Sequence, residues 1–223
     1  MAINIQRMSR SGLRLAVAGV ILWVILLAVL SIRGFFSDFS ALPPRLSFAL
    51  LIPLAAVLFF VRSRAGTAVL RRIQPQWLIY LQTFRILVEM GLWLSVRNGL
   101  LPVQLSFEGR NFDLLTGLIA IPVGYYCFVR RSWPPVIALL FNIGGLLMLV
   151  NAVTLATLSM PTPLQAFHGQ PDASLLTRFP GIFLPGLLVP LAYTLHIFSL
   201  RQWRIIGSVR QRESRISVSG REA

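Results

Sequence analysis

Residues 76–97 read QWLIYLQTFRILVEMGLWLSVR. A helix needs about 20 apolar residues to cross a ~30 Å hydrocarbon core, and this segment is long enough. Yet Arg85 and Glu89 sit near its middle. That combination restricts the fold more than any other feature. A lone charge at a bilayer centre costs about 2.5–3.5 kcal/mol, so both side chains must face protein or enclosed water, and other helices must cover them. A helix repeats every ~3.6 residues and brings positions three and four apart onto one face. Gln82, Arg85 and Glu89 therefore form one stripe. Arg85 and Glu89 have the i, i+4 spacing at which two long side chains meet, so an Arg85–Glu89 ion pair is the expectation. The stripe has two readings. One is a site for a solute, an ion or a proton. The other is a buried pair that fixes helix packing.

Composition agrees with a membrane setting. Of the 223 residues, 56% are hydrophobic and 13% are charged, with mean hydropathy +0.73. Soluble domains carry about 25% charged residues. The net charge is +14, and every basic residue is arginine. Such basicity invites a nucleic-acid reading, because arginine neutralises phosphates. Here, however, most arginines fall between apolar runs, where they fit membrane topology better. Nucleic acid is not an expected partner. The single cysteine, Cys127, lies in an apolar run and reads as a small buried hydrophobe.

Six apolar segments follow one another, at about 15–32, 46–61, 76–97, 113–129, 134–157 and 181–200. The fold class expected is all-α: a polytopic transmembrane bundle of six helices in one domain, residues 1–200, with a basic cytoplasmic tail at 201–223. The first segment reads as an uncleaved anchor, since its apolar run is long for a signal peptide and no A-x-A-like site follows. The second is short and is expected to kink at Pro53. The loop at 62–75 carries four arginines. Asp113 opens the fourth helix and reads as its N-cap. Gly144-Gly145 would permit close helix contact.

Orientation follows from arginine placement. One side receives residues 1–14, 62–75, Arg130-Arg131 and the tail, with three, four, two and six arginines. The other side receives two, two and one. Both termini are therefore expected in the cytoplasm. The three outer loops carry Asp38, Glu108, Asp113, His168 and Asp172.

This topology suggests a polar site of Gln82, Arg85, Glu89, Glu108, Arg110, Asp113 and His168, arranged as an outer vestibule leading down to the stripe. No metal or other cofactor is expected. His168 and His196 fall at opposite membrane sides and make a poor metal or haem pair. No G-x-S-x-G, H-E-x-x-H or phosphate-binding lysine loop is present, so nothing names a reaction. The expected partners are the lipid bilayer and, within it, another membrane protein or a second copy of the chain as a homo-oligomer.

Two stretches, LSFEGRNFDLLTGL at 105–118 and HIFSLRQW at 196–203, resemble segments of a family of small bacterial multi-pass membrane proteins. The resemblance implies a bacterial inner-membrane location and brings no activity and no site residues. The reading is a binding or transport protein, with a structural or assembly subunit of a membrane complex as the alternative.

Overall fold

The computed structural model describes residues 10–41 and 43–219. Arg7 and Arg221, which enter the orientation count, lie outside the described residues. Those residues form α1 (Arg10–Ile32), α2 (Leu46–Arg62), α3 (Arg64–Leu70), α4 (Pro75–Tyr80), α5 (Phe84–Arg97), α6 (Asp113–Gly124), α7 (Val136–Leu158) and α8 (Val189–Ser219), with no strand among them. Among the described residues four helical stretches are long and apolar enough to cross a membrane: Gly12–Ile32, Pro75–Arg97, Val136–Leu158 and Leu184–Ile205. A fifth is possible if the bent pair α2 and α3 counts as one span. Asp113–Val129 is apolar but shorter.

Three departures from the sequence reading have local causes. The basic loop at 62–75 contains α3, which leaves α2 at an angle of 82°. Ser63 makes the corner. Its backbone is extended, and its hydroxyl accepts from the Gly66 N–H at 3.0 Å, an N-cap that satisfies one of the free donors of a helix start. Secondly, residues 76–97 are not one uniform helix. A tight turn at Leu81–Thr83 separates α4 from α5, and Gln82, buried within it, donates to the Ala192 carbonyl of α8 at 3.3 Å. Thirdly, α8 does not stop where hydrophobicity ends near residue 200 but runs on to Ser219. Arg, Gln and Glu propagate a helix well, and no proline interrupts residues 201–219.

Proline organises the attachment of α1. Pro190 has no N–H to give to the carbonyl four residues earlier, that of Gly186. Trp23 of α1 fills the gap, its indole N–H donating to the Gly186 oxygen at 2.8 Å. Gly186 also lies where a Cβ would meet Leu27 Cδ1 at 2.7 Å. Leu27, Phe36, Ala49 and Ile182 form the apolar cluster around this joint. A second cluster, with Ile79, Ala120, Val123 and Ala138, joins α4, α6 and α7. At the other end of α8, Gln202 donates to the carbonyls of Leu70 and Ile73 at 2.7 and 2.5 Å. It thus ties α8 to the end of α3. Helices α5, α6, α7 and α8 pack in sequence, each on the next, and the polar residues of α5 point into this array.

Candidate functional site

Arg85 lies in the first turn of α5 and is 2% exposed. Its partner is Asp113, the first residue of α6. Arg85 Nε donates to Asp113 Oδ2 at 2.7 Å, and Nη2 donates to Oδ1. This is the side-on bidentate fork that makes arginine suited to buried carboxylates. The third arm, Nη1, reaches His196 Nε2 at 3.1 Å. Arginine can only donate, so Nε2 is the acceptor and His196 is a neutral imidazole with its hydrogen on Nδ1. That hydrogen goes to Asn142 Oδ1 at 2.9 Å. Asn142 Nδ2 then donates to the Ala138 carbonyl at 2.7 Å and to Ser199 Oγ at 2.9 Å. Gly145 makes room for this arrangement, since a Cβ there would run into the His196 ring.

Glu89, one turn further along α5, is 1% exposed. Its Oε1 accepts the Phe107 backbone N–H at 2.6 Å, and its Oε2 accepts Asn111 Nδ2 at 2.9 Å. Asn111 Nδ2 also donates to the Leu105 carbonyl at 3.0 Å, and its Oδ1 accepts the Asp113 N–H at 3.2 Å. Asn111 therefore links the Glu89 carboxylate to the backbone at the start of α6. The connection between α5 and α6 is a packed polar lid over Glu89.

The expected Arg85–Glu89 ion pair does not form. Among the described residues the ion pairs are Arg45–Asp38, Arg85–Asp113 and Arg97–Glu108. Asp113 faces the guanidinium across α5 and α6, while the loop's N–H donors take up Glu89. Asp113 is accordingly no N-cap. Phe112 holds that position without a side-chain cap.

A cavity of about 210 Å³ adjoins this network. Leu50, Leu92, Leu149 and Val153 are among its apolar walls, and Glu89, Asn111 and Asp113 form its polar end. Leu51, also on the lining, is 53% exposed, so the cavity meets the bundle's outer surface beside α2. The outer vestibule is not assembled. Glu108 turns to Arg97 at 2.5 Å near the surface. Arg110 is exposed and lies over the Phe167 ring at 5.7 Å. His168 is exposed, and Asp172 accepts the Ser174 N–H at 2.8 Å. Gln82 is fully buried against α8 and does not line the cavity.

The structure thus brings together Arg85, Glu89 and Asp113 and adds Asn111, Asn142 and His196, which were not assigned to the site. One signal for them was available. A polar side chain alone in an apolar run must find a partner inside the protein, and Asn142 and His196 are such residues.

These features define the class: an all-helical, strongly apolar bundle with a buried ionic network and a cavity beside it. A family model described as a domain of unknown function (DUF8737) matches residues 43–204, and the chain belongs to that family. Both stretches that carried the resemblance fall inside the matched residues. No curated protein and no solved structure matches the chain.

Proposed function

We propose that this chain is a six-crossing protein of the bacterial inner membrane that binds or carries a small solute or ion at the Glu89 end of its cavity. Both termini face the cytoplasm in this reading. The single observation that carries it is the cavity of about 210 Å³ ending on a buried carboxylate. Pockets that join apolar walls to a few convergent polar groups are the usual form of a small-molecule site, and an ionisable group within a span marks such sites. The fifteen-to-five arginine bias supports the orientation. Reporter fusions at the C-terminus test it: a fluorescent protein should mature there, and a periplasm-dependent phosphatase should stay inactive.

The site itself is tested by Ala152→Phe, which places a ring in the cavity lining. A deletion phenotype should be complemented by the wild-type gene and not by this variant, given equal membrane levels of the two proteins. Full complementation would instead favour the second reading, a structural or assembly subunit. Two observations support that alternative. The Arg85–Asp113–His196 end of the network is closed on itself, as a packing clamp would be. The span at Gly12–Ile32 has only 11% of its residues buried within the bundle, leaving an apolar surface for another membrane protein or a second copy.

A further inference from the structure

We infer that the cavity takes a small amphipathic organic cation, with an apolar body in the pocket and a protonated amine donating to the Glu89 carboxylate. This inference rests on the binding reading above and names the ligand class for it. The charge at the polar end carries the argument. Arg85 contributes +1 and is matched by Asp113, which holds it through both carboxylate oxygens. His196 accepts from Arg85 and is therefore neutral. Glu89 contributes a further −1 and has only neutral donors, the Phe107 N–H and the Asn111 amide. The sum is +1 −1 −1, or −1, at a carboxylate that is 1% exposed and borders a cavity. An uncompensated buried carboxylate is costly and either takes up a proton or finds a cation, and an ammonium in the cavity supplies the charge and the hydrogen together.

The remaining lining selects the kind of cation. A bare metal ion wants several oxygen ligands, and no cluster of three or more His, Cys, Asp or Glu able to hold one occurs among the described residues. A quaternary ammonium is held in an aromatic cage, and among the described residues no aromatic side chain lines this cavity. A primary or secondary ammonium needs only acceptor capacity. Glu89 has it, because a carboxylate offers about four lone-pair sites and two are used here. The walls are chiefly Leu, Val, Ala, Met and Pro, which suits a hydrocarbon body. A dry cavity of roughly 150 Å³ accommodates benzene, so 210 Å³ matches an aryl or short alkyl amine.

The test is equilibrium dialysis of the full-length protein in zwitterionic nanodiscs at pH 7, with partitioning into empty nanodiscs subtracted. Three probes share one body: 2-phenylethylamine, 2-phenylethanol and 3-phenylpropanoate. The amine should bind at least tenfold more tightly than the alcohol, and the acid should not bind. Glu89→Gln should abolish the preference for the amine, and Ala152→Phe should abolish binding of both amine and alcohol. Should Glu89→Gln fail to fold, Glu89→Asp keeps a carboxylate and should keep the preference at lower affinity. Equal binding of amine and alcohol to the wild type overturns the cation assignment and leaves the binding reading standing. Binding of none of the three overturns the binding reading, and the cation assignment with it.

Discussion

Asp113 grips Arg85 from the neighbouring helix, with Oδ2 2.7 Å from Nε and Oδ1 on Nη2. The two residues are 28 positions apart, so this contact fixes how α5 and α6 face each other. Asp113→Asn should strand the guanidinium and cost about 3–5 kcal/mol, the range for breaking a buried pair from one side. Replacing both, as Arg85→Met with Asp113→Leu, should recover most of that stability. Reversible unfolding in mixed micelles measures it, and a loss below about 1 kcal/mol for Asp113→Asn would contradict the clamp.

Trp23→Phe removes the donor to the Gly186 carbonyl while keeping an aromatic ring. A buried acceptor left unpaired costs about 1–3 kcal/mol. Pro190→Ala restores a backbone N–H four residues after Gly186. Trp23→Phe should therefore cost less in the Pro190→Ala background. An equal cost in both backgrounds would mean that proline is not why the carbonyl needs the indole.

The adjacent glycines of α7 should behave oppositely. Gly145→Ala pushes a methyl into the His196 ring, and overpacking of this kind costs about 1–3 kcal/mol. Gly144 has nothing within 4 Å of a built Cβ. Alanine there should be neutral, or stabilising by up to about 1 kcal/mol through helix propensity. Unfolding of the two single variants, side by side, distinguishes a specific seat for His196 from a general need for small residues.

Asp38 supplies a pH prediction outside the spans. The Ser40 hydroxyl donates to it at 2.7 Å and the Ser40 N–H at 3.2 Å, and Arg45 lies 2.7 Å away. The Ser40 hydrogen bonds first, and then the Arg45 charge, hold its pKa below the ordinary aspartate value of 3.8. A depressed carboxylate stabilises the fold above its unfolded pKa, and that contribution fades as pH falls through the lower folded value. Asp38→Asn should thus lose the part of the acid sensitivity that appears below pH 3.8. An Asp38 titration by carbonyl-carbon NMR at or above 3.8 would refute the assignment.

Much of the architecture was legible in hydropathy, and the network only in part. Long uncharged runs marked α1 and α7, because helices with little of their surface buried in the bundle cannot hide their composition. Spacing put Arg85 and Glu89 on one face, and both are buried. It could not choose their partners. That choice depends on how α5 approaches α6, where Gly117 has no Cβ to hold Ile86 away. Asp113 looked like a helix cap because it starts α6, but its side chain is taken by an arginine far away in the sequence. Glu108, Arg110 and His168 looked like a vestibule because they share one predicted side. Shared side says nothing about direction, and these residues turn outward. α3 stayed hidden because four arginines among few apolar residues read as a loop.

The right-angle turn at Ser63 has a mechanical result. The foot that leaves α2 is fastened at its far end by Gln202 to the last rod of the bundle. The foot therefore bridges that rod and α2, which carries Leu50 and Leu51 of the cavity wall, so two hydrogen bonds at a side chain far along the sequence tether the helix that flanks the pocket.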